Sequence, residues 1–349
     1  MPFADVKGQA HAIGLLRRSL STGRSHHAYL FAGTEGVGKE RAARILAQAL
    51  NCESTNWREG VTDDACGMCA SCVAIERGVH PDVFTLSPEA EQVARGIMTR
   101  SDFEGTPSRD LKISQVREML GRLVLKASRG RRKVAILTPA EGLNEQAQNA
   151  LLKTLEEPPP ETCLVLVTSA PETLLPTVRS RCMLVRFAPL PMELVAERVV
   201  AARGVSKTDA LAIAAMSQGS LGKALALDAK AIERRRQAVT LEQKADALGA
   251  DDRDRLDLAE SLGDRDKAEA ALEAWETFYR DALCMAAQAD ARILAMPELA
   301  EMSSVCAQRH SAPKLLRRLK IIRESQKALA QNGNPRLQIE GALLAFAGA

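Results

Sequence analysis

Between the apolar run Tyr29–Ala32 and a stretch marked by Ala42, Ala43, Leu46, Ala47 and Leu50 lies Gly33-Thr34-Glu35-Gly36-Val37-Gly38-Lys39-Glu40. Its frame is G-x-x-x-x-G-K, in which glycine amides wrap phosphate oxygens and the lysine meets the outer phosphates. The frame works only where a strand turns straight through the glycines into a helix, and that is the context here. The segment is therefore committed to an α/β core. The position after the lysine ordinarily carries a Ser or Thr hydroxyl for Mg²⁺, and here it is Glu40. A carboxylate suits a helix N-terminus, where the dipole favours negative charge, yet it competes with the phosphate for which the loop is shaped. Gly33, Gly36, Gly38 and Lys39 thus read as a vestigial nucleotide-binding loop, impaired at its first catalytic position.

Four more strands are expected at Val83–Leu86, Lys133–Ala140 (the strand and its end), Cys163–Thr168 and Met183–Phe187. Helical spacing marks residues 8–22, 113–126 and a helix capped by Asn144 that runs to Glu157 and stops at Pro158-Pro159-Pro160. Near-continuous apolar strands separated by helices mean a parallel sheet buried on both faces. A working nucleotide site would place an acidic pair at the end of the third strand, one carboxylate for Mg²⁺ and one to activate water. This chain offers Thr138 and Pro139, which do neither, and Glu141 two residues on is expected beyond the strand's reach. Residues 87–110 read as a long polar surface loop. Arg129-Gly130-Arg131-Arg132-Lys133 is a basic turn, open to a solvated or a phosphate-contacting reading.

Cys52 is followed by Cys66-Gly67-Met68-Cys69-Ala70-Ser71-Cys72, two interlocked C-x-x-C spacings. Four thiolates are the number that a closed tetrahedral zinc site requires, so Cys52, Cys66, Cys69 and Cys72 are expected to hold one structural Zn²⁺. A redox C-x-x-C would sit at the head of a helix after a strand, without a third cysteine in register. His80 is expected to serve the loop Pro81-Asp82 rather than the metal, and Trp57 to pack. Pro189-Leu190-Pro191 marks a boundary, after which no strand is expected. Helices run over 192–203, 207–216 and 220–227, charge runs such as Arg234-Arg235-Arg236 mark exposed faces, and Trp275, Phe278 and Tyr279 line a helix seam. Aromatics are only 3% of 349 residues, which argues against a base-stacking groove, and a net charge of +3 does not announce a nucleic-acid binder. No apolar run reaches membrane-spanning length and the N-terminus lacks a signal pattern, so a cytoplasmic protein is expected.

The residues resemble bacterial DNA polymerase III clamp-loader subunits, within the AAA+ ATPase superfamily. The likeness rests on His27-Ala28-Tyr29-Leu30-Phe31-Ala32-Gly33, the four cysteines, His80-Pro81-Asp82, Asn149–Pro159, Ser180-Arg181-Cys182 and, near the end, Asn334-Pro335-Arg336-Leu337. It spans essentially the whole chain and is most specific between residues 27 and 187. The resemblance implies a P-loop AAA+ core with a zinc module (residues 1–187, module 52–72), a small helical lid (188–230) and an all-α collar (231–349) that joins five subunits in a ring.

Within that family, gamma or tau subunits hydrolyse ATP and delta-prime subunits share their motifs. Besides Glu40, Thr138 and Pro139, this chain has Gly222 where the catalytic subunits carry a phosphate-sensing lid arginine. Four departures in three places look like a delta-prime subunit relieved of hydrolysis. The resemblance then implies that Arg181 of the S-R-C element acts in trans, as an arginine finger on a neighbour's ATP, with Arg179 a structural neighbour. No intrinsic ATPase is expected, the chain being instead a component of the DNA-directed DNA polymerase holoenzyme; whether its own loop holds ATP stays open. Implied partners are delta, gamma/tau, the sliding clamp and primed DNA, with no membrane. The alternatives are a hydrolysing gamma/tau-like subunit using Lys39 and Glu141 and, further off, a stand-alone zinc nucleic-acid-binding protein or a small-molecule kinase.

Overall fold

In unit 1, the computed structural model has helices α1 (Ala10–Ser21), α2 (Lys39–Asn51), α3 (Ala70–Glu76), α4 (Glu89–Ala94), α5 (Ile113–Val124), α6 (Glu145–Glu156) and α7 (Pro176–Arg179). They alternate with strands β1 (Ala28–Ala32), β2 (Val83–Leu86), β3 (Lys133–Leu137), β4 (Thr162–Thr168) and β5 (Met183–Arg186). The structure describes residues 2–347 except 55–62, 104–105, 109, 228, 247–250, 291–292 and 331–332, so the packing expected of Trp57 lies outside the described residues. By packing, the chain divides into Met1–Pro191 and Met192–Ala349.

All five strands are parallel, in the order β2-β3-β4-β1-β5. Every residue of β1, β3 and β4 is buried. Side chains alternate across the pleat, so Tyr29, Phe31, Val134, Ile136, Val165 and Val167 share one core with residues of α1, α2 and α3. Leu30, Ala135, Leu137, Leu164 and Leu166 face a second core with residues of α5, α6 and α7. Two covered faces explain why these strands are apolar throughout. Because the strands are parallel, the loops at their carboxyl ends converge on one edge, which is where ligands meet sheets of this type.

One expectation is corrected. Residues 87–110 are not all loop: α4 and a 3₁₀ turn at Arg100–Asp102 lie within them. Glu89, buried at the start of α4, accepts from the Ser108 N–H at 3.0 Å and from Lys112 at 2.5 Å. A six-residue helix held by such distant partners leaves no periodic trace in the sequence.

Unit 2 is helical among the described residues: α8 (Met192–Arg203), α9 (Lys207–Met216), α10 (Leu221–Ala226), α11 (Ala229–Ala245), α12 (Asp252–Ser261), α13 (Arg265–Ala286), α14 (Ala300–Arg309), α15 (Ala312–Ala330) and α16 (Pro335–Ala347). Trp275, Phe278 and Tyr279 of α13 are fully buried, as expected of a helix seam. Arg318 of α15 is buried too. It makes a bidentate pair with Asp246 (2.7 and 2.6 Å) and donates to Tyr279 Oη (2.7 Å) and the Phe346 carbonyl (3.1 Å). Arg235, within an expected exposed run, is half-buried and donates to the Ala295 carbonyl at 3.3 Å.

Candidate functional site

The glycine loop leaves β1 and enters α2 as its spacing requires. Gly33 approaches β5 so closely that a Cβ there would lie 2.2 Å from the Phe187 carbonyl oxygen. Gly36 and Gly38 adopt positive φ (73° and 101°), and Gly38 caps α2. Lys39 is 6% exposed and its Nζ donates to the carbonyls of Gly33 (2.5 Å) and Thr34 (2.7 Å). Burial draws its pKa below the ordinary lysine value, against the pull of the Glu141 and Glu35 carboxylates.

Glu40 sits where the Mg²⁺ hydroxyl would be, and two guanidinium groups hold it. Arg95, just past α4, donates from Nη1 to both carboxylate oxygens at 2.8 and 2.7 Å. Arg44 adds a bond at 3.1 Å from one turn further along α2. Arg95 is itself steadied by Glu91, Nε to Oε1 at 2.7 Å. The charge that seemed to oppose phosphate is thus neutralised by an arginine from a helix that sequence patterning does not reveal.

At the end of β3, Thr138 is buried and its N–H continues the ladder to the Leu86 carbonyl at 3.0 Å. Glu141 is nearer to the loop than its place in the sequence suggests. A 3₁₀ turn at Ala140–Gly142 brings its carboxylate to the end of β4, where it accepts from the Ser169 N–H (3.1 Å) and hydroxyl (2.5 Å). Its charge acts on Lys39. Burial pushes the Glu141 carboxyl up, and hydrogen bonds from Ser169, Thr168 and its own backbone N–H together outweigh this, leaving it below the usual carboxylate range.

Arg181 lies at the other edge of the sheet. It precedes β5, which runs beside β1 in parallel with Tyr29 opposite Met183. From Met183 at the start of β5 to Phe187, which abuts Gly33, the chain runs roughly 13 Å in extended form. Arg181, in the turn before β5, thus lies at the amino end of that strand, whereas the loop follows the carboxyl end of β1. Its guanidinium donates to the Thr177 carbonyl from Nη1 (2.9 Å) and pairs with Glu156 through Nη2 (2.6 Å). Gln148 of α6 accepts the Leu175 N–H at 2.6 Å and donates to the Leu143 carbonyl, tying the start of α7 to α6. Arg179 is exposed.

The four cysteines come together, with their sulfurs all within 4.8 Å of one another. Cys52 and Cys69 are 4.0 Å apart and Cys66 and Cys72 are 3.9 Å apart. A tetrahedron of about 2.3 Å metal–sulfur bonds has edges of about 3.8 Å, so this donor set fits a tetrahedral ion. The N–H groups of Met68 and Cys69 point at Cys66 Sγ (3.4 and 3.3 Å), and those of Glu53 and Cys72 at Cys69 Sγ (both 3.4 Å). Burial acts to raise the Cys66 thiol, but the Met68 and Cys69 N–H groups and the neighbouring Cys52 and Cys69 thiols bring it down to about 7, whereas burial holds Cys52 and Cys72 high. His80 stays outside the cluster: its Nδ1 accepts the Asp82 N–H at 3.1 Å, the loop role expected of it.

The basic turn is pinned from below. Asp82 is fully buried and accepts the N–H groups of Ser128, Arg129 and Gly130, each at 2.7 Å. Asn51 Oδ1 accepts those of Arg131 and Arg132 at 2.9 Å. Asp82 and Asn51, like Arg95 and Glu156, acquire these parts only through contacts remote in sequence.

A parallel sheet with a glycine loop at one edge, a four-cysteine module and a helical second unit is the architecture of an AAA+ clamp-loader subunit. The chain belongs to the DNA polymerase III delta subunit family, whose model matches residues 8–191, with the model of its C-terminal part matching residues 233–348. The tau subunit of DNA polymerase III from Escherichia coli is 35% identical over 266 residues, 74% of this chain and 38% of tau. The delta' subunit from Pseudomonas aeruginosa is 39% identical over 165 residues, 47% of this chain and 44% of that one. The chain thus matches about two fifths of the length of these relatives. Among solved structures, a gamma subunit-related protein of Thermotoga maritima is 16% identical, with 97% of this chain and 99% of that one covered and a TM-score of 0.40.

Proposed function

We propose that this chain is a non-hydrolysing, delta-prime-like subunit of the DNA polymerase III clamp loader. The observation that carries the reading is Glu40, a carboxylate bound to Arg95 and Arg44 where a Mg²⁺-binding hydroxyl is needed. Thr138 and Pro139 at the end of β3 support it, since neither supplies a carboxylate. Gly222, exposed on α10, supports it again, in place of the lid arginine. The core (1–187), lid (188–230) and collar (231–349) join this subunit to delta and gamma/tau in a five-membered loader that sets the sliding clamp on primed DNA. Contact with that DNA is to backbone phosphates through basic groups, and so salt-sensitive and blind to sequence.

In that assembly Arg181 is an arginine finger. Placed at the amino end of β5, its guanidinium meets the γ-phosphate of ATP on the next subunit and stabilises charge developing in the transition state, an effect worth roughly 10³–10⁵ in rate. Cys52, Cys66, Cys69 and Cys72 hold one zinc ion. When bound, it ties the end of α2 to α3, with no open position for catalysis.

The test is pull-down with mass spectrometry, followed by ATP hydrolysis measured for the chain alone and in the recovered complex. Delta, gamma/tau and clamp should be recovered, and the chain alone should not turn over ATP. Glu40→Thr should leave it inactive, because the acidic pair is still missing. Arg181→Ala should leave the ring assembled and slow its DNA-stimulated hydrolysis. A second reading, a gamma/tau-like ATPase, is favoured by one observation, the reach of Glu141's charge to Lys39. Hydrolysis by the isolated chain that Lys39→Ala abolishes would establish it in place of the first.

A further inference from the structure

We propose that Glu156 is the positioning residue for Arg181, an inference that rests on the reading of Arg181 as a finger for a neighbour's ATP. Glu156 is the last residue of α6, and Glu157 follows it. The carboxyl end of a helix is where carboxylates are disfavoured, because the unpaired carbonyls there already carry partial negative charge. A glutamate at that place calls for a cation, and the one it holds is Arg181, Nη2 to Oε1 at 2.6 Å.

The same guanidinium has a second anchor in the Thr177 carbonyl, 2.9 Å from Nη1. Glu156 and Thr177 belong to different helices, α6 and α7, so the two bonds together set the plane of the group as well as its place. An arginine fixed on one side only would swing on its flexible stem and lose that freedom on meeting phosphate. Arg179, two residues away, makes no such ion pair among the described residues and is exposed. A guanidinium has five N–H donors, and the two bonds use two of them. Arg181 can therefore present donors to a phosphate while Glu156 still holds it. The side chains of Arg181 and Glu156 are 35% and 50% exposed, too open for the pair to matter much to folding.

The experiment uses the reconstituted loader carrying this chain as wild type, Glu156→Ala, Glu156→Asp, Arg181→Ala and the double variant. It reads kcat and KM for DNA-stimulated ATP hydrolysis, ring assembly, and the melting temperature of each chain. Glu156→Ala should lower kcat roughly 10- to 100-fold, as misplacement of a catalytic group does, with KM, assembly and melting unchanged. Glu156→Asp should restore part of the loss, and the double variant should be no slower than Arg181→Ala. If Arg181→Ala slows hydrolysis while Glu156→Ala leaves kcat within about 2-fold, the finger stands and the positioning role is overturned. Multiplying defects in the double variant, or a lowered melting temperature, would overturn it equally. An Arg181→Ala complex as fast as wild type would remove the finger itself, and this role with it.

Discussion

Replacing Arg318 by methionine should take roughly 4 kcal/mol from the stability of residues 192–349, the range for breaking a buried ion pair being about 3–5 kcal/mol. The magnitude follows from what is left behind. The side chains of Arg318 and Asp246 are 2% and 8% exposed, so neither charge is much hydrated. The substitution removes both bonds to Asp246, leaving that carboxylate with His310 at 3.2 Å, takes one donor from Tyr279 Oη, which keeps Gln243 at 3.3 Å, and removes the donor to the Phe346 carbonyl. The guanidinium also lies 5.3 Å from the Tyr279 ring centre and 5.2 Å from that of Phe346, contacts a thioether replaces only in part. The chain has two tryptophans, and Trp275 packs against Phe346 in this core, so urea unfolding followed by fluorescence in a Trp57→Phe background reports on it. With a urea dependence of about 2 kcal/mol per molar, the midpoint should fall by about 2 M. Adding Asp246→Asn should recover more than half of that, because the stranded charge goes too. A single-variant shift below about 0.5 M, or no recovery in the double variant, would refute the reasoning.

Further outcomes can be checked in the same protein. Burial pushes the Glu242 carboxyl from 4.5 up to about 7, so the folded state holds a proton that the unfolded state has released between those values. The stability of this unit should accordingly fall as pH rises from about 5 to about 8, by on the order of 3 kcal/mol, and Glu242→Gln should flatten the curve; a flat wild-type curve would contradict it. Purified protein should contain about one zinc per chain by elemental analysis, and Cys66→Ser should lose it with a lower melting temperature, whereas a metal-free chain of equal stability would exclude the zinc. Asp82→Asn should cost about 2–3 kcal/mol and speed amide exchange at Ser128, Arg129 and Gly130, since one amide oxygen cannot accept all three donors; unchanged exchange would show that Asp82 does not hold the turn.

Much of the fold was legible because its signals are local. The glycine frame, the apolar strand runs and the Asn144 cap, which accepts the Ala147 N–H at 2.9 Å, each need only a few neighbouring residues. The cysteine spacing likewise placed three of the four sulfurs on one tight loop. The short helix α4 was not legible, being polar and held by Ser108 and Lys112. With it went Arg95, whose role depends on meeting a residue 55 positions away. Glu141 was misjudged for a related reason: counting along an extended strand does not anticipate a 3₁₀ turn that folds the carboxylate back onto Ser169.

By itself, then, the sequence determined the five strands and the longer helices of the core, the glycine frame and the cysteine spacing, and that Glu40, Thr138 and Pro139 stand at the positions they do. Tertiary structure alone decided that β1 lies between β4 and β5, that Arg95 neutralises Glu40, and that Glu156 holds Arg181 at the amino end of β5. The physical reason is range. Backbone preference and side-chain periodicity act over a few residues, whereas the partner of a charge is set by whichever distant element the packing of both sheet faces brings alongside.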